Sequence, residues 1–114
     1  MKKTLAARVA TAQQIAAAKE SVAAAVTDEF FERHPDWLAR YGENGRKRGI
    51  EDAGFHIDFL EGAIETGSVA AFCDYARWCS RLLSGYGIAP HFLAENLRQV
   101  GQALEAKVTS AEGM

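Results

Sequence analysis

Residues 46–67 read RKRGIEDAGFHIDFLEGAIETG, and their periodicity decides the fold class. At about 100° per residue the stretch predicts a helix of about five to six turns with its charges held to one side. Glu51, Asp58, Glu61 and Glu65 fall within about 80° of one another. Ile50, Ala53, Phe55, Ile57, Phe59, Leu60, Ala63 and Ile64 spread over the remaining arc, with Gly54 and Gly62 near its borders. So wide an apolar arc requires neighbours on nearly every side, which makes this a central helix. Asp52 and His56 interrupt the arc near its middle. Four residues apart, they stack on one face of the helix.

Upstream, Thr4 to Arg33 is one long alanine-rich helical pattern. Leu5, Ala12, Ile15, Ala16, Val22, Ala23, Val26 and Phe30 form its apolar stripe. Alanine contributes little buried area, so the stripe predicts either docking on the core or, the favoured expectation, pairing with a second copy of the same helix. His34-Pro35 ends this helix and opens a short one, because proline suits the first helical turn and disfavours helix at the residue before it. Trp37, Leu38 and Tyr41 are expected to face inward there. Gly42 closes the short helix, and Glu43-Asn44-Gly45 reads as the turn into the central one.

Downstream, Gly67 and Ser68 mark a C-terminal stop and a new N-cap. The helix from Val69 to Leu83 directs Phe72, Tyr75, Ala76, Trp78, Cys79, Leu82 and Leu83 inward. Pro90 opens the last helix, whose stripe is Leu93, Leu97, Val100, Leu104 and Val108, and from Thr109 the chain is expected to fray. No strand pattern or repeat is present.

Composition agrees with this pattern. The chain has 114 residues, 48% hydrophobic and 25% charged, with only two prolines, as befits one helical domain with a core of its own. A net charge of −2 gives no electrostatic reason to expect nucleic acid or an anionic membrane as partner. Arg8 interrupts any apolar signal-peptide core, and no run approaches membrane-spanning length, so a cytoplasmic location is expected. Cys73 and Cys79 lie about 240° apart on one helix and cannot bond to each other there. Both are expected to be small core residues.

Four features bear on function. A carboxylate one turn before an imidazole can accept its N–H and set its tautomer, so Asp52 and His56 suit a ligand site. They equally suit a satisfied buried pair that orients the central helix, and this plainer reading weighs more. No second histidine lies within helical reach, so a protein-only metal site is not expected. Arg46, Lys47 and Arg48 at a helix start can meet carboxylates or phosphates, although a solvated helix start is the commoner use. Trp37, Tyr41, Phe55, Phe59, Tyr75 and Trp78 can line a pocket for a flat ligand or simply fill the core. Nucleophile elbow, phosphate loop and paired catalytic carboxylates are all missing from the sequence, which points away from an enzyme.

The run from Phe30 to Gly67 and the segment FCDYARWCSRLLSGYGI resemble the all-helical N-terminal regions of some bacterial cobalamin-binding regulatory proteins. The shared motifs are W-x-x-R-Y-G-x-x-G-R, E-D-x-x-F-H-x-x-F-L and D-Y-x-R-W, here beginning at Trp37, Glu51 and Asp74. The likeness spans about residues 22–104. Its cobalamin-binding half has no counterpart in this chain, so cobalamin is not implied. More distantly the chain is similar to phycobiliproteins and to the non-haem globin sensor domains of stressosomes. In the phycobiliprotein pattern Asp52 matches the pigment-bonding aspartate, but Gly49 stands where the bilin-attaching cysteine would be.

The resemblance implies a globin-like sensory or interaction module of bacterial signalling. The expected fold is all-α: a compact, globin-like or phycobiliprotein-like bundle of about five helices in a single domain over 1–114. Residues 1–33 form the long helix, offered for homodimerisation, and 35–108 form the core bundle. The favoured function is non-enzymatic and needs no cofactor, with a signalling protein as a further partner. The first alternative is a non-covalent tetrapyrrole (haem or bilin) binder, with His56 as axial ligand or Asp52 as pyrrole partner. The second is a pure dimerisation unit. Candidate ligand-binding residues are Arg46, Arg48, Asp52, His56, Phe59 and Trp78.

Overall fold

A computed structural model describes residues 4–108. The order is α1 (Leu5–Arg33), α2 (Pro35–Thr66), α3 (Val69–Gly85) and α4 (Pro90–Lys107), and no strand occurs among the described residues. The fraying expected from Thr109 onward lies outside them.

The helix boundaries follow local chemistry. Thr4 caps α1 by accepting the Ala7 N–H at 3.1 Å, and Ser68 caps α3 by accepting the Ala71 N–H at 3.1 Å. Pro35 and Pro90 occupy first-turn positions. Gly67 adopts the left-handed conformation (φ 73°) that ends α2. Its N–H bonds Ile64 O, and the Ser68 N–H bonds Ala63 O at 2.9 Å, which closes the last turn.

The expected turn at Glu43–Gly45 is not there. Those residues are helical, and α2 continues through them with a single break at Gly42 (φ 65°, ψ −161°). One glycine in a region closed to other residues bends the chain without any loop, so the two separate helices read from the sequence are one kinked element.

Two apolar clusters hold the bundle. The larger joins Ile15, Val22, Ala23 and Val26 of α1 to Ala53 and Ile57 of α2 and Val100 and Leu104 of α4. Val22, Val26 and Ile57 are the largest fully buried side chains, each worth about 1.5–3 kcal/mol. The smaller cluster joins Tyr75 and Cys79 of α3 to Leu93 of α4.

The most extensive helix contact is α1 on α2. A Cβ at Gly49 would meet Thr27 Cγ2 at 3.0 Å, and one at Gly54 would meet Lys19 Cε at 3.2 Å. Small residues therefore bring the two backbones close enough for alanines to make many van der Waals contacts. Ala12, Ile15, Val22, Ala23, Val26 and Phe30 of the α1 stripe are covered within the chain, whereas Leu5 and Ala16, also expected to lie on it, are exposed.

Several inward assignments on α2 and α3 need correction. Phe55, Phe59, Trp78 and Leu82 are exposed, as are Leu38, Tyr41 and Cys73, and Leu60 and Ile64 are only half-buried. Both helices present more apolar surface than the two clusters can cover. Among the described residues no helix is long and apolar enough to cross a membrane.

Candidate functional site

Pro35 turns the chain back at the end of α1, and Gly42 bends it again less than three helical turns later. These two breaks form an elbow against which α4 begins at Pro90. Aromatic residues fill it. The Trp37 ring lies 5.2 Å from Phe30 and 4.9 Å from Phe92, and His34 lies 4.6 Å from Phe30 and 5.3 Å from Phe92, centroid to centroid. His34 Nε2 meets Glu95 Oε2 at 2.7 Å, both groups largely shielded, which ties the α1–α2 junction to α4. His34 is thus a tertiary anchor and not merely a boundary residue.

Inside the elbow lies a half-open cavity of about 230 Å³. Phe30, Phe31, Trp37, Tyr41 and Phe92 supply its aromatic wall, and Leu83, Ile88 and Leu93 its aliphatic side. Thr27, Arg48, Asp52, His56 and Asn96 bring polar groups to an otherwise apolar lining. Gly45 and Gly49 also face it, where side chains would crowd Tyr41 and Thr27 respectively.

The structure divides the six candidate residues. Arg48, Asp52 and His56 meet at this cavity. Arg46 instead pairs with Asp28 of α1 at 2.7–2.8 Å and, more weakly, with Glu43 at 3.5 Å, so it locks α2 to α1. Phe59 stacks on Tyr75 outside the cavity, and Trp78 lies beyond it on the same outer face.

The expected Asp52–His56 hydrogen bond is absent. His56 Nδ1 lies 2.7 Å from the Tyr75 hydroxyl, and Asp52 Oδ1 lies 3.4 Å from Arg48 Nε. An i, i+4 spacing puts two side chains on one face but does not choose between a neighbour on the same helix and a better-placed group on the next. Tyr75, one helix away, reaches the buried ring, while half-exposed Asp52 turns towards Arg48.

Electrostatics follow from burial. Desolvation pushes the His56 imidazole down to about 4, so the ring is neutral at pH 7. Burial, with a contact to Cys79, pushes the Tyr75 phenol up, so it remains an uncharged hydroxyl. Burial also raises Asp52, against the opposing pull of Arg48. With Nδ1 engaged by Tyr75, His56 Nε2 has no hydrogen-bond partner among the described residues. It presents an N–H if Tyr75 donates to Nδ1, and a lone pair if Nδ1 donates to Tyr75. The arrangement can therefore hold a small flat molecule against aromatic faces while bonding one polar atom of it. Among the described residues, no group of three His, Cys, Asp or Glu side chains is placed to hold a metal ion.

The sequence pattern marks Trp37 and Tyr41 as pocket residues, but not Phe30, Phe31 or Phe92. A signal existed for the first of these. Phe30, His34, Trp37 and Tyr41 recur at helical spacing across Pro35. Only the fold brings Phe92 and Asn96 to them. Compared with known proteins, the chain matches no family model, no curated protein and no solved structure.

Proposed function

We propose that this chain is a non-enzymatic, globin-like sensory module that binds a small, planar, mostly apolar molecule in the elbow cavity and signals through helix packing. The observation that carries this reading is the aromatic-walled cavity where α1, kinked α2 and α4 converge, with neutral His56 on its lining. At about 30 Å³ per water volume, a cavity of about 230 Å³ suits one or two fused aromatic rings. Arg48, paired with Asp52 at 3.4 Å, and Asn96 favour a polar substituent. The cavity touches all four helices, α3 through Leu83, so an occupant changes how they pack, and the His34–Glu95 contact links that change to the start of α4.

The cavity volume of about 230 Å³ argues against a tetrapyrrole here. Even drug-sized ligands ordinarily take about 300 Å³ or more, and a macrocycle is larger still. Titrating haem into the folded protein should leave the Soret region unchanged on adding or removing the His56 ring (His56→Ala).

The direct test uses saturation-transfer NMR with a panel of one- and two-ring aromatic amides and carboxylates. The Trp78→Phe variant leaves Trp37 as the sole tryptophan, so its fluorescence reports the cavity. Saturable quenching by a panel member, lost in Gly49→Leu with the fold retained, supports the reading. A panel with no saturable member removes it.

A further inference from the structure

We infer that the outer seam between α2 and α3 is a docking surface for a second copy of this chain. Phe55, Phe59, Trp78 and Leu82 are 54%, 52%, 55% and 44% exposed, and all belong to two adjoining helices. Phe59 stacks on Tyr75 with centroids 4.0 Å apart and planes at 10°, and Tyr75 in turn lies 6.4 Å from Trp78, so the stripe is continuous across the seam. Aromatic side chains carry about 150–250 Å² each, so half-exposure of the three rings, with Leu82 beside them, leaves an apolar patch of roughly 300–450 Å². That falls within the range of about 300–600 Å² for the largest apolar patch of a single domain, which is often a functional surface. It is about half of the ~800 Å² per partner of a standard interface, and the polar flanks of the two helices supply the remainder.

The charges beside the stripe identify the occupant. On α2, Glu51 and Asp58 lie within about 20° of each other and border Phe55. On α3, Arg81 lies about 60° and Arg77 about 100° from Trp78, with Asp74, which pairs with Arg77 at 3.0 Å, nearer still at about 40°. The α2 edge of the seam is mainly acidic, and the α3 edge carries the two arginines with Asp74 among them.

The tight Gly67 turn makes α2 and α3 antiparallel neighbours, with Phe59 level with Tyr75. A two-fold axis along the seam lays α2 of each copy over α3 of the other. Counting outward from that level puts Glu51 opposite the partner's Arg81 and Asp58 opposite the partner's Arg77. The contact is self-complementary, as an isologous interface requires. Glu51 and Arg81 make no ion pair among the described residues, while the Asp58–Lys19 and Arg77–Asp74 pairs are exposed and exchange partners at little cost. This inference does not depend on what the cavity binds.

Sedimentation equilibrium over a concentration series tests it. The wild-type chain should dimerise. Trp78→Ser, Glu51→Arg and Arg81→Glu should each weaken the dimer by about tenfold or more, with circular-dichroism melts showing the fold retained. An equimolar mixture of Glu51→Arg and Arg81→Glu should regain wild-type strength, because both contacts in the mixed dimer then join opposite charges. A wild-type monomer at submillimolar concentration overturns the inference, and so does a dimer unmoved by Trp78→Ser. A mixture no tighter than the single variants overturns it as well.

Discussion

The elbow and the seam are built from the same kinds of residue and end in opposite environments. At the elbow, Trp37 and Phe92 pack edge-on against Phe30 and tilted against each other beneath three converging helices, and Phe30 is 7% exposed. At the seam, Phe55, Phe59 and Trp78 lie along two helices, α1 only flanks Phe55 at Lys19 and Glu20, and each ring is more than half exposed. Apolar character and helical spacing are alike in the two places. What differs is the number of elements that meet there. An aromatic residue is buried when a third helix closes over it, and at the seam none among the described residues does.

The sharpest way to break this comparison is to truncate one ring at each place. Phe30→Ala should lower unfolding free energy by about 3–5 kcal/mol, and Ile57→Ala in the core beside it by about 2–5. Phe59→Ala, measured by the same urea titration on dilute protein, should cost about 1 kcal/mol or less. Equal losses for Phe30 and Phe59 would erase the distinction between elbow and seam.

The next effect in size concerns pH. His56 has a folded value of about 4 against an ordinary 6.5, so the folded state disfavours its proton. Its contribution is complete above about pH 6.5 and is lost as pH falls through the window down to about 4. At 1.36 kcal/mol per unit the loss is roughly 3 kcal/mol. Asp52 works in the opposite sense. Its raised value means that its contribution is present at low pH and is lost as pH rises through that value, which offsets part of the His56 effect near the bottom of the window. Because the Asp52 carboxylate is 41% exposed, water screens it and the offset is small. Chemical denaturation at pH 7, 5.5 and 4 should show wild type losing stability that His56→Gln does not.

A smaller effect tests whether the elbow depends on its polar tie. Glu95→Gln weakens the hydrogen bond to His34, which lies where both groups are about one-fifth exposed, and should cost about 1–2 kcal/mol. Arg33→Ala removes an exposed pair with Glu29 close by and should stay within about 0.5 kcal/mol of wild type. If the two losses match, the His34–Glu95 contact is no more than another surface pair.

Local rules were enough for much of this molecule. Thr4 and Ser68 at N-caps, Pro35 and Pro90 in first turns and Gly67 in a left-handed stop are set by backbone sterics and near-neighbour hydrogen bonds, which act within a few residues. Period-3.6 patterning likewise determined the all-α class and the inward placement of Ile15, Val22, Val26, Ile57, Val100 and Leu104.

Tertiary structure decided the rest. Which arc of α2 and α3 is covered depends on where the other helices lie, and so Phe55, Phe59 and Trp78 stay outside despite apolar spacing. His56 pairs with Tyr75 and not Asp52, because a hydroxyl nineteen positions away arrives at 2.7 Å only once α3 has docked. Arg46 and Arg48 are two residues apart in one basic run, yet Asp28 claims the first and the cavity receives the second. Spacing along a helix determines which side chains share a face, whereas the contacts that make a site are distances between helices, and only the packed chain sets those.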